Sequence, residues 1–367
     1  MTEKQGGSDI RANTTQARPY GAGGQGGEYA LIGHKWFCSA PMSDAFLTLA
    51  RTGHGLSCFL VPRWLPDGAR NPFRIQRLKD KLGNRSNASA EIEYDGTWAV
   101  MVGEEGGGVT TIIDMVHHTR LDCSFAAAGL MRAAVARALH HTTHRMAFGR
   151  PLIQQPLMRQ VLADIALESE AAIALVLRVA RAFDEREATP EAHAFARLAV
   201  AVTKYWVSKR CPSLVYEALE CHGGNGYVEE GAMPRLYREA PLNAIWEGSG
   251  NVICLDVLRT LRKEPAALEG LDAEFKASSG LDSRFDTWVR RTREMLADPE
   301  RLEVRARQLV ERLALALQAG LLLRHAPPPL SEAFCASRLS GEWGYAFGTL
   351  PPEVDRDAIL NRAAGGE

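Results

Sequence analysis

At 367 residues the chain is long enough for more than one domain and an ample core. With 46% hydrophobic and 24% charged residues it has the usage of an ordinary soluble globular chain. The formal net charge of −1 excludes a global pull toward nucleic acid or anionic membrane, so any polyanion site has to be a local patch. The seven cysteines (Cys38, Cys58, Cys123, Cys211, Cys221, Cys254, Cys335) are odd in number and form no CxxC pair. That argues for reduced thiols in a cytoplasmic protein, without a disulfide frame or a metal site. The polar, Gly-rich start carries no signal peptide, and no apolar run reaches membrane-spanning length.

In chain order, residues 1–28 are rich in Gly, Asn, Thr and Gln, with a flexible loop at 21–27. Strand-like runs follow at 29–37, 45–51, 56–61, 73–78, 90–94 and 98–102. They are short, broken by Pro and Gly, and have no helical pattern between them. The expected fold class is therefore α+β, opening with an antiparallel β-domain over 1–108. From 109 the apolar spacing turns helical, with candidate helices at 109–142, 155–185, 191–220 and 250–262 packing as a four-helix bundle over 109–262. Residues 263–367 read as a helical extension: two more helical patterns up to 325, a break at Ala326-Pro327-Pro328-Pro329, then short helix and loose tail.

The segment 241–251 (Pro-Leu-Asn-Ala-Ile-Trp-Glu-Gly-Ser-Gly-Asn) places one carboxylate, Glu247, between an indole and a run of small residues. Turn chemistry at 248–251 feeds a helix. With nothing bulky after it, Glu247 can approach a planar ligand closely, which suits a base that takes a weakly acidic proton. The same residue is also compatible with an ordinary loop acid near a helix N-terminus, favoured there by the macrodipole.

Four blocks in register resemble the acyl-CoA dehydrogenase family over 1–262. They are 1–9 (Met-Thr-Glu-Lys-Gln-Gly-Gly-Ser-Asp), 33–39 (Gly-His-Lys-Trp-Phe-Cys-Ser), 145–152 (Arg-Met-Ala-Phe-Gly-Arg-Pro-Leu, followed by Gln154, Gln155, Ala163 and Asp164), and 222–227 (His-Gly-Gly-Asn-Gly-Tyr) with 235–239 and 245–249. Within the family the chain is most similar to the AidB-like branch, linked to the bacterial response to DNA alkylation. Blocks 33–37, 79–89 and 245–251 and the long tail carry that likeness. The family carries a helical domain upstream of the first block and the sequence opens inside that block, so the expectation is either a start upstream of Met1 or an acyl pocket that lacks part of its wall.

The resemblance implies FAD as cofactor and α,β-dehydrogenation of an acyl-CoA, with Glu247 as base and its backbone N–H as one donor to the thioester oxygen. The family's alternative base position falls on Thr119, which cannot act as one. Thr2 and Ser8 match positions that offer donors to the flavin and its phosphates, and Gly6 and Gly7 allow close backbone approach. Phe37 matches the aromatic over the ring, Ser39 the hydroxyl near N5, and Cys38 lies between them. Arg145 and Phe148 match residues that reach a neighbouring subunit's cofactor, with Gly223 and Gly224 approaching it by backbone. Trp246, Gly248, Ser249 and Asn251 complete the cofactor set. A homo-oligomer, a tetramer in this family, follows. Glu220 and Ser249 stand where the family usually has Gln and Thr, and His222 is assigned no role.

In the extension, Arg290, Arg291 and Arg293 share one helical face, and acids such as Asp286 and Glu294 offset them. Such a face either binds duplex DNA through phosphates, as the AidB-like branch implies, or is a solvated surface laced with ion pairs.

Overall fold

The computed structural model describes residues 1–341 and 343–366, which divide into two compact units, Met1–His118 and Thr119–Glu367. The first unit is built on β1 (Gln16–Pro19), β2 (Glu28–Cys38), β3 (Ala45–Thr52), β4 (Gly55–Pro62), β5 (Arg74–Leu78) and β6 (Ala90–Val102). Strand order is β2-β1-β3-β4-β6-β5, and β2 also pairs with β6, so five strands close into a ring with β5 on its outside. Closure removes the exposed edges that an open sheet would leave.

Alternation fills the ring. Tyr29, Leu31, Phe59, Val61, Ile92, Tyr94, Ala99 and Met101 are buried together, with Tyr29 and Phe59 edge to face at 5.1 Å. All pairings are antiparallel except β1 with β3, which touch in parallel at Gln16 and Arg51, a departure from the purely antiparallel expectation. The two runs expected at 90–94 and 98–102 are one strand, β6. A register shift at Leu31/Ile32 absorbs the turn-like Asp95-Gly96 opposite it. Strand β1 was not expected.

The second unit is helical. Helix α1 (Gly108–His144) leads to a two-residue hairpin between β7 (Met146–Ala147) and β8 (Arg150–Pro151). Then come α2 (Pro156–Glu185), α3 (Pro190–Glu220), α4 (Met233–Glu239) and α5 (Gly250–Lys263). Pro156 and Pro190 stand at helix starts, where a missing N–H costs nothing, and Thr189 caps α3 by accepting from Ala192 N at 3.1 Å. Helix α3 runs on through Pro212 because its apolar residues are buried along its whole length.

Over 263–325 the structure has three α-helices where two were expected: α6 (Pro265–Lys276), α7 (Ser283–Leu296) and α8 (Ala306–His325). Helix α8 is no loose appendage. Leu309, Val310, Leu313, Leu317 and Leu321 enter the same core as Leu162 and Leu175 of α2 and Val200 and Leu214 of α3. Two short helices follow, α9 (Pro328–Phe334) and α10 (Arg356–Ala363). Arg338, fully buried between them, pairs with Asp164 at 2.5 Å and Glu168 at 3.0 Å. Gly348 N also donates to Asp164 at 2.8 Å, so the tail is pinned to α2 by a buried polar network.

Candidate functional site

In the first unit the site-bearing residues gather where segment 1–9 meets β2. Trp36 N donates to Thr2 O at 2.8 Å, laying the start of the chain along the strand end. Glu3, fully buried, fixes that placement. It accepts from Thr14 N (2.6 Å) and Oγ1 (2.8 Å), Thr15 N (3.1 Å) and Oγ1 (2.6 Å), Gln5 Nε2 (2.9 Å) and Lys35 Nζ (2.7 Å). Burial alone would raise its pKa, but the bonds from Lys35, Thr15, Thr14 and Gln5 outweigh that and hold it well below the usual carboxylate range.

Above this plug, Gly7 lies against the Thr2 hydroxyl, where a Cβ would collide, and Ser8 and Ser39 are exposed. Phe37 leaves 46% of its surface open, and the Lys79 ammonium sits 3.5 Å from the Trp36 ring centre and 4.6 Å from that of Phe37. Burial pushes the Cys38 thiol up. Thr2, Gly7, Ser8, Phe37, Cys38 and Ser39 thus fall in one neighbourhood, as a surface of small residues, hydroxyls and an open aromatic face.

The second unit carries two clusters. In the first, Phe148 and Gly149 form the hairpin tip with φ of 52° and 80°, as a two-residue turn of mirror-image type demands. A phenylalanine is a poor choice there, yet its ring is held out with 94% of its surface exposed. Arg145 is also exposed. His141 stacks on His222 at 4.7 Å, which brings the Arg145 end of α1 beside the turn at Gly223 and Gly224. Both glycines face open space. Glu220 is exposed, and among the described residues no ion pair joins it to Arg145.

The other cluster surrounds Glu247. Helix α5 starts at Gly250, whose missing side chain lets Lys209 Cε approach to 3.0 Å of the Cβ position. Ser249 is the exposed cap residue, Gly248 has φ 101°, and Asn251 accepts from Arg307 Nε at 2.8 Å. Trp246 is fixed by its indole N–H on Asn243 Oδ1 at 3.1 Å. Glu247 itself has φ 56°, a left-handed conformation that costs a residue with a Cβ on the order of 1 kcal/mol. Its Oε2 is buried with no hydrogen-bond partner among the described residues. A buried carboxylate oxygen left bare is expensive, and strain and an unmet acceptor at one residue make Glu247 a candidate functional position.

Sequence reasoning missed the surroundings of this loop. Lys204, 1% exposed, donates to Trp246 O at 2.7 Å and Gly248 O at 2.5 Å. Arg120 donates to Glu247 O at 3.2 Å and pairs with Asp256 at 2.7 Å. Desolvation lowers the Lys204 pKa to about 8, and burial pushes the neighbouring Cys123 thiol up to about 11. The one available signal was a lone lysine inside the apolar run 198–207.

On α7, Arg290 pairs with Glu294 at 2.6 Å and Arg293 with Asp272 at 2.7 Å, while Arg291 is exposed with no ion pair among the described residues. Arg312 stacks on Trp288 at 3.9 Å, a packing role. Among the described residues no helix is long and apolar enough to cross a membrane, and no His/Cys/Asp/Glu group could hold a metal ion.

Residues 1–97 match the acyl-CoA dehydrogenase middle domain and residues 106–262 the acyl-CoA dehydrogenase C-terminal domain. AidB of Escherichia coli (strain K12) is 47% identical over 366 residues, covering 100% of this chain and 66% of its own length. Acyl-CoA dehydrogenase family member 11 of Caenorhabditis elegans is 30% identical over 97% of this chain and 62% of its own. The crystal structure of Caenorhabditis elegans ACDH-11 in complex with C11-CoA superposes with a TM-score of 0.83 at 28% identity, over 100% of this chain and 63% of that one. The chain thus spans less than two thirds of the length of these relatives.

Proposed function

Because the chain belongs to the acyl-CoA dehydrogenase family, we propose that it takes part in FAD-dependent α,β-dehydrogenation of an acyl-CoA, with Glu247 as the base. The observation that carries the reading is the bare, buried Oε2 of Glu247 on a strained left-handed backbone. FAD is the family's cofactor, and the residues fit it. Gly7 has the Thr2 hydroxyl packed where a Cβ would stand, so its backbone is bare of side chain, Phe37 offers an open ring face, and Ser8 and Ser39 offer exposed hydroxyls. When bound, FAD supplies the two-electron acceptor for the hydride that leaves the β carbon.

The chain's own residues do the rest. Glu247 takes the α proton, so the two electrons of the Cα–H bond form the double bond as the β hydride departs. The Glu247 N–H donates to the thioester oxygen, where negative charge develops. Trp246, locked by Asn243, walls the site against water.

Arg145, exposed Phe148 and the open turn at Gly223 and Gly224 suit a neighbouring copy's cofactor, which supports a homotetramer. Ser249 and Asn251 at the start of α5 are the further cofactor-binding candidates. Seven free thiols suit a reducing, cytoplasmic setting. The complex of ACDH-11 with C11-CoA makes an acyl-CoA the fitting substrate class.

A second reading is a DNA-binding protein of the alkylation response with vestigial dehydrogenase activity. The exposure of Arg290, Arg291 and Arg293 supports it, and the ion pairs to Glu294 and Asp272 count against it. One experiment separates the two. Mix FAD-loaded full-length protein anaerobically with butyryl-CoA and C11-CoA and follow loss of flavin absorbance, with wild type and Glu247→Gln side by side. The base reading expects fast bleaching on one chain length and a loss of about 10²–10⁴-fold in the variant. Slow, unselective bleaching that ignores the substitution, together with salt-sensitive duplex binding, supports the second reading.

A further inference from the structure

Three consecutive carbonyls around Glu247 are taken by buried cations. Lys204 Nζ holds Trp246 O at 2.7 Å and Gly248 O at 2.5 Å, and Arg120 Nε holds the Glu247 carbonyl between them at 3.2 Å. A trans peptide carries its C=O and N–H on opposite sides. Fixing Trp246 O on Lys204 therefore turns the Glu247 N–H away from Lys204, and fixing Glu247 O on Arg120 turns the Gly248 N–H away from Arg120. The cations thereby hold both peptide planes that flank Glu247, the residue with the left-handed φ of 56°.

The helix gains nothing locally from Lys204. Val200, Val202, Trp206 and Val207 around it are buried, and an ammonium in such a place is costly unless its partners repay it. Its partners are both loop carbonyls, 42 and 44 residues further along the chain. Arg120 is held in turn by Asp256 on α5, at 2.7 Å, so the clamp is tied to the helix that Glu247 precedes.

We propose that Lys204 is a positioning residue for Glu247. It clamps the backbone on either side of the base, so that the carboxylate and the Glu247 amide present together to the acyl group, with Arg120 as the second arm. The inference rests on the reading of Glu247 as the base.

The test uses FAD-loaded full-length protein and anaerobic bleaching by butyryl-CoA and C11-CoA, resolved into a saturating rate and an apparent dissociation constant. Lys204→Met keeps the length and volume of the side chain and removes the donor. The clamp predicts retained flavin, an apparent dissociation constant within about 3-fold of wild type, and a saturating rate lowered about 100-fold, the scale of a misplaced catalytic group. A flavin-loaded Lys204→Met that bleaches at the wild-type rate overturns the proposal.

Should Lys204→Met not fold, Lys204→Ala with added ethylammonium decides. Recovery of rate with the amine supports the clamp, and a flavin-loaded Ala variant indifferent to it sinks the clamp. Glu247→Gln in the same assay separates the two ideas. If it bleaches like wild type, the base assignment has failed. If it is dead while Lys204→Met is normal, the clamp alone has failed.

Discussion

Two glutamates hide carboxylate oxygen from water in opposite ways. Glu3, in the first unit, spends both oxygens on Thr14, Thr15, Gln5 and Lys35. Glu247, in the second, keeps Oε2 buried and bare on a left-handed backbone. Both lie in segments that resemble the family's cofactor-site blocks, yet a saturated acid can only hold structure. An unsaturated one is held in readiness for something that arrives. The difference separates scaffold from chemistry more sharply than burial does, since burial alone marks both.

The largest expected effect comes from opening the saturated site. Glu3→Ala leaves Lys35 buried without its counter-charge and should cost about 3–5 kcal/mol in urea denaturation. Replacing both, as Glu3→Leu with Lys35→Met, should recover most of that loss. If Glu3→Ala unfolds at the wild-type urea concentration, Glu3 is no scaffold and the comparison breaks.

Acid gives the same contrast without mutation. Glu3 has its folded pKa held below the unfolded value, so its contribution is fully present above about pH 4.3 and is lost as pH falls toward the folded pKa. Wild type should therefore lose stability between about pH 4 and 2 more steeply than Glu3→Leu/Lys35→Met. Parallel denaturation curves over that window would contradict it.

Lys204 works the other way. Its folded pKa, about 8, lies below the unfolded value near 10.4. Below pH 8 the ammonium is charged in both states and its burial cost is fully present. As pH rises from 8 to 10 the folded form sheds its proton first, so wild type should gain up to about 3 kcal/mol relative to Lys204→Met. Melting temperatures of both proteins at pH 7, 8.5 and 10 check this, and a constant gap would refute it.

The smallest effect is the most diagnostic. Glu247→Gly removes a bare buried acceptor and a left-handed Cβ together, so it should leave stability unchanged or raise it by on the order of 1 kcal/mol. The sign is opposite to Glu3→Ala. A clear loss of stability in Glu247→Gly would make Glu247 a structural acid like Glu3.

The same logic explains what the sequence could reveal. Strands β2, β3 and β4 were legible because apolar alternation and turn residues are local, and the long helices because their apolar spacing repeats. Strand β1 escaped because Gln16-Ala17-Arg18-Pro19 buries Ala17 alone. The break at Asp95-Gly96 split β6 on paper, since a register shift on the partner strand leaves no mark in the strand itself. Helix α8 was readable as a helix, but its place in the core against α2 and α3 is tertiary information.

In the site, the contiguous indole, carboxylate and Gly-rich turn mark Glu247 only weakly, and it is the family resemblance that singles it out as a candidate base. Lys204 could not be assigned, because its partners lie 42 residues away and are backbone carbonyls, which every residue has. Glu3 and Lys35 lie in blocks 1–9 and 33–39, and nothing in those blocks reveals that they pair.

The most direct test of the central claim is α-proton exchange. FAD-loaded full-length protein is incubated in D2O with butyryl-CoA and with C11-CoA, and deuterium at the α carbon is read by NMR, for wild type and Glu247→Gln. If Glu247 is the base, wild type puts deuterium at the α carbon of at least one of these thioesters and Glu247→Gln does so at the uncatalysed rate. Equal exchange by the two proteins, or none by wild type with either, would contradict the account.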